Sequence, residues 1–376
     1  MVNIMRNSKY KVDIGILILL FIFIIISLLT INSAQMLINT NTLVIKQLLW
    51  YVAGFILAYF IMFIGNFSIF KHVWFLYVIG VISLFGLLLF GTPINNARCW
   101  YTLPGIGTIQ PSEFMKIILI LTEAVMIKDF NEDSNHTVKE EFWFILKIGI
   151  VVLIPSVLTF LQPDTGVVLI YLLITLIMLF ISGIRYRWFI IAFSILGLAV
   201  GFVLLTYFVD TDLFIKIFGT DFFLRIDRLL DWSSGSGYQL QNGMASIGAG
   251  GIFGMGLNNT PIYFPEPQTD FIFAVYANNF GFIGSCILIT LLAIFDIKLI
   301  LLALKNNNLI NKYVIAGCVG MLIYQQLQNI GMTFGIMPIT GITLPFISYG
   351  GSSLLSYMIM MGIIFNISNE TIRYKN

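Results

Sequence analysis

Long apolar runs separated by short polar segments dominate this chain. A helix that crosses a bilayer needs about 20 mainly apolar residues, and the apolar runs that meet this requirement predict ten spans. They lie near residues 13–32, 47–65, 73–91, 113–127, 143–161, 165–182, 188–209, 270–302, 313–336 and 346–367. The fourth run is short and the eighth is long, so we expect those two boundaries to be the least regular. The pattern predicts one all-α polytopic membrane domain over residues 1–376, with a long loop before the eighth helix.

The composition supports a lipid-facing surface. Hydrophobic residues make up 59% of the 376 residues and charged residues 10%, whereas a globular domain has about 25% charged residues. A net charge of +2 is too small to indicate nucleic-acid binding. Cys99, Cys286 and Cys318 show no paired spacing, so the sequence predicts no disulfide framework.

The distribution of Lys and Arg sets the expected orientation. Basic residues collect on the cytoplasmic side of membrane proteins, and a cytoplasmic N-terminus places most of the 20 basic residues inside. This predicts a chain with both termini in the cytoplasm (N-in/C-in) and an even number of spans. The segments that then lie outside are 97–116, 161–166, 210–269 and 335–353. The unusual polar and Gly/Pro-rich segments therefore gather on one face, which we interpret as the functional face.

Two outer segments carry candidate binding residues, and the role of each residue is open. Glu113 and Lys116 in "IQPSEFMK" share a helix face. They could form an ion pair at the helix end, or Lys116 could bind an anionic ligand. Ser112 is the expected cap of that helix. Arg98 and Trp100, in the same loop, suit a lipid phosphate or an ordinary interfacial anchor. Asp164 in "LQPDTG" fits a tight turn between the fifth and sixth spans.

Other motifs exclude several kinds of chemistry. Residues 221–232 predict an amphipathic helix in the membrane interface. The glycine-rich stretch 235–256 does not match a dinucleotide-binding fingerprint and favours close helix packing or a re-entrant backbone. The chain has two histidines and no H-E-x-x-H or G-x-S-x-G pattern, so a zinc or serine hydrolase is not expected.

Asp270 stands at the edge of the apolar stretch "FIFAVY". An ionised Asp is costly inside a bilayer, at about 2.5–3.5 kcal/mol or more near its centre. Asp270 could cap the eighth helix, or desolvation could raise its pKa and make it a general base. The sequence leaves both roles open.

Taken together, these segments resemble the SEDS family (RodA, FtsW and SpoVE). The most specific parts are "QNIGMTFGIMPITGITLPFISYGGSS" (328–353) and "YFPEPQTDFIFAVYANNFGFIG" (263–284). "IQPSEFMK", "QPDTG" and "GSGYQLQNGMASIGAGGIFGMG" add to it. The compact length and "PGIGTIQPSEFMK" look more like RodA than like FtsW.

The resemblance implies a polymerase of cell-wall glycan that joins lipid II units on the outer face of the bacterial cytoplasmic membrane. It implies Asp270 as the catalytic residue, a class B penicillin-binding protein as partner, and Lys116 with Arg98 and Trp100 at the substrate. We add as further substrate-binding candidates the polar residues of the same segments, namely Glu113, Asp164, Glu266, Ser348 and Tyr349. A divalent cation, Mg²⁺ or Mn²⁺, could share the charge stabilisation, although no ligand cluster demands one.

Two departures from the family pattern bear on activity. Gln268 stands where family members usually have His, and Asn278 with Asn279 stands where they usually have two Glu residues. Because of these departures, a non-catalytic scaffold for a penicillin-binding protein is a competing hypothesis. A lipid-linked sugar flippase and a division- or sporulation-specific paralogue also stay open.

Overall fold

The computed structural model describes residues 10–94, 97–103, 107–220, 222–224, 226 and 237–373. Nearly all of them are helical, and each predicted span coincides with one long helix. The described helices are α1 (Ile14–Leu37), α2 (Leu43–Ile64), α3 (Asn66–Lys71), α4 (Val73–Phe90), α5 (Pro111–Asp133), α6 (Val138–Leu161), α7 (Thr165–Ile181), α8 (Arg187–Val209), α9 (Thr211–Phe218), α10 (Tyr238–Ala249), α11 (Ile272–Lys305), α12 (Leu309–Thr333) and α13 (Gly351–Arg373). The polytopic helical fold is confirmed.

Seven of the described helices are long and apolar enough to cross a membrane, namely α1, α2, α4, α6, α8, α11 and α13. Helix α7 is apolar but has 17 residues. Helices α5 and α12 are long enough, but polar side chains on their buried faces reduce their hydropathy. The total of ten spans and the N-in/C-in orientation stay predictions.

Both ends of the described chain lie at the same end of the helix bundle. The backbone N–H of Asp13, just before α1, donates to Ser368 Oγ at 3.0 Å near the end of α13. The same end holds a polar cluster in which Asn311 donates to Glu370 at 2.8 Å and Asn306 donates to Thr371 at 2.8 Å. The expectation that polar groups gather on one face is therefore too simple, because a second, hydrogen-bonded set closes the opposite end.

A three-stranded antiparallel sheet occupies the segment that we predicted as a loop between α4 and α5. Its strands are β1 (Thr92–Ile94), β2 (Ala97–Leu103) and β3 (Gly107–Ile109), in the order β1-β2-β3. The sheet is fixed to the start of α13, because the Gln110 N–H donates to Ser352 Oγ at 2.9 Å. It forms one wall of the cavity described below.

Helix α11 is interrupted at Gly281, where φ is +65° and ψ is −163°. The glycine-rich segment after α10 satisfies the backbone groups that this break exposes. Met255 N–H donates to Asn278 O at 2.9 Å, and Phe282 N–H donates to Gly251 O at 2.9 Å. A broken helix inside a membrane needs such partners, and the described residues 250–256 of the glycine-rich stretch pack closely against α11. The predicted amphipathic helix at 221–232 lies almost wholly outside the described residues.

Candidate active site

Most of the site residues predicted from the sequence meet at one cavity of about 590 Å³. Helix starts and connecting loops surround it at the end of the bundle opposite the chain termini. Its lining includes Trp100, Glu113, Asp164, Glu266, Asp270 and Tyr349. A wider groove of about 990 Å³ lies at the other end of α5, beside Asp129, Trp143 and Lys147. None of the predicted site residues lines that groove, so the smaller cavity is the candidate site.

The loop that carries Asp270 is held by side chains from two distant segments. Asn329 on α12 donates to the Asp270 carbonyl at 2.8 Å and to the Ile342 carbonyl at 2.8 Å. Ser348 Oγ donates to the Thr269 carbonyl at 2.7 Å, and the Tyr349 N–H donates to the Gln268 carbonyl at 2.8 Å. Ser348 is buried and positions the loop, whereas Tyr349 also lines the cavity.

The carboxyl group of Asp270 faces the cavity and does not cap a helix. Helix α11 begins at Ile272, and its N-cap residue is Phe271, without a side-chain cap. The capping role considered for Asp270 is therefore wrong. Gly341 lies directly beside the carboxyl group, since a Cβ at that position would be 3.5 Å from Asp270 Oδ2. The φ of +72° at Gly341 explains why a glycine serves there.

Electrostatics make the Asp270 carboxyl group a stronger base than an ordinary Asp. Burial, then the negative charge of Glu266, raises the pKa of Asp270 to about 7, while a hydrogen bond from Thr269 acts in the opposite direction. Glu266 itself is exposed and accepts hydrogen bonds from Gln268 at 3.0 Å and Thr269 at 3.1 Å. Near neutral pH, Asp270 can therefore take up and release a proton.

Asp164 ends the turn between α6 and α7 and joins it to α5. Its Oδ1 accepts from the Val167 N–H at 3.2 Å, so Asp164 is the N-cap of α7, and its Oδ2 accepts from Gln110 Nε2 at 2.8 Å. Burial is the main cause that raises the pKa of Asp164 to about 6, and the Val167 N–H opposes it. The turn prediction is confirmed, and the same carboxylate also faces the cavity.

Glu113 and Lys116 form a buried ion pair. Lys116 Nζ donates to Glu113 Oε2 at 2.7 Å, and the Lys116 side chain is fully buried. The ammonium group also lies 5.4 Å from the centre of the Tyr357 ring. Glu113 reaches the cavity, whereas Lys116 is not among its lining residues. The cap expected at Ser112 is wrong, because α5 begins at Pro111 with Gln110 as its N-cap residue.

The structure does not bring Arg98 to the cavity. Arg98 is exposed on β2, and its side chain is absent from the lining, although Trp100 on the same strand contributes. Among the described lining residues the basic side chain is Lys46, which is exposed near the start of α2. One turn later, Trp50 packs against Gly351, where a Cβ would lie 2.6 Å from the ring. The sequence analysis did not assign Lys46 to the site.

Two of the departures from the family pattern, Asn278 and Asn279, lie apart from the reacting side of the cavity. Asn278 Nδ2 donates to the Ser246 carbonyl at 2.8 Å, and Asn279 Oδ1 accepts from Thr260 at 3.3 Å. Both side chains are buried beneath the glycine-rich segment, and neither lines the cavity. Gln268 contacts Glu266. Asn278 therefore links α11 to α10, and Asn279 links α11 to the segment that follows α10.

The described residues hold no group of three His, Cys, Asp or Glu side chains suited to a metal ion. Mg²⁺ is usually held by one or two carboxylates together with substrate phosphates and water, so Asp270 and Glu266 would hold a cation only with the substrate in place. We derive no step through a metal.

The fold and cavity define a polytopic membrane protein with a carboxylate site at one end of its bundle. A sequence profile of the FtsW/RodA/SpoVE family, described as cell cycle protein, matches residues 10–373. This chain belongs to that family.

Several individual proteins are similar to it. Stage V sporulation protein E of Bacillus subtilis is 36% identical over 282 residues, which are 73% of this chain and 72% of that protein. "Probable peptidoglycan glycosyltransferase FtsW" of Coxiella burnetii is 33% identical and covers 79% of this chain and 78% of its own length. A chain from a peptidoglycan synthase complex, solved to describe the coordination of polymerization and crosslinking, superposes with a TM-score of 0.82 at 26% identity. That match covers 98% of this chain and 100% of the other. The rod shape determining protein RodA of Thermus thermophilus gives a TM-score of 0.69 at 26% identity, over 96% of this chain and 97% of its own.

Proposed function

We propose that this protein is a peptidoglycan glycosyltransferase that polymerises lipid II at the outer face of the cytoplasmic membrane. The observation that carries the proposal is Asp270, a carboxylate with a pKa near 7 on the wall of a 590 Å³ cavity. The names of the FtsW and synthase-complex relatives support the same activity. A cavity at one end of the bundle suits substrates whose lipid tails stay in the membrane while their sugars react at its surface.

In this proposal Asp270 is the general base. Its carboxylate takes the proton from the 4-hydroxyl group of the sugar of one lipid II molecule. The hydroxyl oxygen forms a bond to the anomeric carbon of the glycan chain held on a second lipid carrier. The bond from that carbon to the pyrophosphate oxygen breaks, and undecaprenyl pyrophosphate leaves. A base with a pKa close to the working pH is efficient in this role.

The leaving pyrophosphate gains negative charge as its bond breaks, and a nearby cation stabilises that charge. We assign this task to Lys46, because it is exposed at the cavity, whereas Arg98 is outside it. Lys116 is enclosed and already paired with Glu113. Its role is to hold Glu113 and the start of α5 in place, which revises the direct contact with pyrophosphate that the resemblance implies.

The flippase and scaffold hypotheses receive less support. A flippase alternates access to a site near the middle of the membrane, whereas the candidate site residues that meet in the described part of the chain line a cavity at one end of the bundle. A non-catalytic scaffold has no need for a partly buried, basic carboxylate at a cavity. The Asn278 and Asn279 departures, which suggest a scaffold on sequence grounds, lie outside the cavity lining.

The proposal includes a class B penicillin-binding protein as partner, since the solved relative works in a complex that coordinates polymerization and crosslinking. For the cellular process, "PGIGTIQPSEFMK" favours cell elongation and shape. The sporulation and FtsW names of relatives at 36% and 33% identity favour sporulation or division as a second candidate. Depletion in growing cells distinguishes them, because loss of an elongation enzyme gives rounded cells and loss of a division enzyme gives filaments.

The direct experiment supplies the purified protein with fluorescent lipid II, with and without a class B penicillin-binding protein, and sizes the products on a gel. We expect glycan strands longer than one disaccharide. Unchanged lipid II in both reactions, from protein that melts cooperatively, would contradict the proposed activity.

A further inference from the structure

Gln325 on α12 is fully buried, yet its side chain belongs to the cavity lining. Neither its Oε1 nor its Nε2 has a hydrogen-bond partner in the described part of the protein. The Tyr357 hydroxyl is near enough for a weak side-chain hydrogen bond with this amide, but the two groups do not meet the geometry of an ordinary hydrogen bond. Gln325 thus presents one donor group and one acceptor without partners at the cavity.

Such an amide is unusual in a folded protein. Most buried polar atoms have a partner, and an unpaired one costs about 1–3 kcal/mol. The neighbouring glutamines follow the rule, since Gln326 donates to Asp296 at 3.3 Å and Gln328 donates to the Pro338 carbonyl at 2.7 Å. Among the described residues Gln325 is the one side chain with two buried polar atoms that lack a partner, and the Thr340 hydroxyl, also without a partner, lines the same cavity. Unpaired polar groups on a cavity wall are typical of a site that a polar ligand completes.

Gln325 is also close to the reacting carboxylate. Asn329, four residues later on the same helix, donates to the Asp270 carbonyl. Residues four apart lie on one helix face with Cβ atoms about 5–6 Å apart. A ligand group bound by Gln325 therefore lies about one helical turn from the backbone of Asp270, within the length of one sugar ring and its substituents.

We propose that Gln325 recognises a secondary amide of the substrate, and that the Thr340 hydroxyl is a further polar group of the same cavity. Nε2 can donate to the carbonyl of the ligand amide, or Oε1 can accept from its N–H. A trans secondary amide points these two groups in opposite directions, so it pairs with one Gln325 atom, and a neighbouring sugar hydroxyl can pair with the other. A hydroxyl group in the place of the acetamido group is shorter and does not reach the same Gln325 atom. Gln325 is then a specificity-determining residue for acetamido sugars, and this inference rests on the proposed function.

Two parts of a lipid-linked disaccharide contain secondary amides, the acetamido groups of the sugars and the stem peptide. Three substrates separate them: the complete molecule, one with hydroxyl groups in place of both acetamido groups, and one without the stem peptide. The acetamido group of the donor sugar is attached to the carbon next to the reacting anomeric carbon. We therefore expect the replacement of the acetamido groups to reduce recognition by Gln325, and removal of the stem peptide to leave it unchanged.

The test compares Gln325→Met with the parent protein. Met keeps the length of the side chain and removes both polar atoms, so no ordinary hydrogen bond within the protein is lost and the melting temperature should stay or rise. We expect the parent to prefer the acetamido substrate over its hydroxyl analogue by tenfold or more in kcat/KM, and Gln325→Met to lose most of that preference. Gln326→Met is the matched control, because it breaks a buried hydrogen bond outside the cavity and should leave the preference unchanged.

Native mass spectrometry measures the binding of each lipid-linked substrate. This measurement distinguishes a failure of the proposed function from a failure of the role assigned to Gln325. If the parent binds the acetamido substrate selectively but does not polymerise it, the proposed function fails and the role of Gln325 stands. If the parent polymerises and Gln325→Met retains the full preference, the role of Gln325 is wrong and the function stands. A preference that depends on the stem peptide, and is lost in Gln325→Met, would overturn the acetamido assignment.

Discussion

The buried ion pair between Lys116 and Glu113 gives a sharp test of the packing around the site. Replacing Lys116 by Met leaves the Glu113 carboxylate, 7% exposed, without its partner at 2.7 Å. Breaking a buried ion pair in this way costs about 3–5 kcal/mol. A Lys116 that only contacted the substrate would affect turnover with little effect on folding. Its complete burial instead predicts a large loss of folding stability.

Helix α5 contains its own control. Lys128 pairs with Glu132 at 2.8 Å, but their side chains are 36% and 57% exposed, and exposed pairs contribute about 0–1 kcal/mol. Lys128→Met should therefore cost at least about 2 kcal/mol less than Lys116→Met. The double variant Glu113→Gln with Lys116→Met should recover part of the loss, because the unpaired carboxylate is removed.

Reversible unfolding in mixed micelles with increasing SDS, followed by tryptophan fluorescence, measures these free energies of unfolding. Equal free energies of unfolding for Lys116→Met and Lys128→Met would refute the burial of the ion pair between Lys116 and Glu113. A double variant no more stable than Lys116→Met alone would show that the cost comes from lost packing and not from the unpaired charge.

Three further predictions concern other parts of the site and fold. Cys99 should resist an impermeant maleimide in intact cells even if β2 lies outside, because burial raises the pKa of its thiol to about 12. A cysteine introduced at the exposed neighbouring position by Arg98→Cys should react. Protection of Arg98→Cys until the cells are lysed would contradict the predicted orientation. Gly281→Ala should destabilise the protein by at least about 1 kcal/mol, because glycine is essentially the one residue that adopts a φ of +65° with a ψ of −163° without strain. An unchanged free energy of unfolding would contradict the break in α11. The polymerisation rate should rise with pH around a midpoint near 7, because burial raises the pKa of Asp270 to about 7 and the ionised carboxylate is the base. A rate that does not change between about pH 5.5 and 8.5 would contradict the role of Asp270 as general base.

The sequence predicted the helices well and the cavity in part, for a physical reason. Apolar length identifies a span directly, so each predicted segment coincides with a helix. The same measure cannot detect β1, β2 and β3, which are three to seven residues long and depend on pairing with each other. It also cannot locate the break at Gly281, which is stabilised by a loop about 30 residues earlier in the chain.

The positions of side chains at the site were the hardest feature to predict from the sequence. Glu113 and Lys116 were recognised as partners by their spacing, but spacing does not distinguish a buried pair from an exposed one. Arg98 and Trp100 are two residues apart on β2, and only Trp100 lines the cavity. Gln325 carries no signal in the sequence, because an unpaired amide becomes visible only when every neighbour is in place.

Asp270→Asn tests the central claim most directly. Asn has nearly the shape of Asp and cannot accept a proton at neutral pH. Because the folded protein raises the pKa of Asp270 above the unfolded value of 3.8, the stability due to this group is complete below about pH 4 and falls as the pH rises toward 7. Asn avoids that loss, so Asp270→Asn should melt at or above the temperature of the parent at pH 7.

The decisive measurement is the initial rate of glycan polymerisation from fluorescent lipid II by purified Asp270→Asn and parent protein at equal folded concentration. We expect the rate to fall by about 10²–10⁴-fold, the usual contribution of a general base, with binding of lipid II retained. Polymerisation by Asp270→Asn at the rate of the parent would contradict the catalytic role of Asp270.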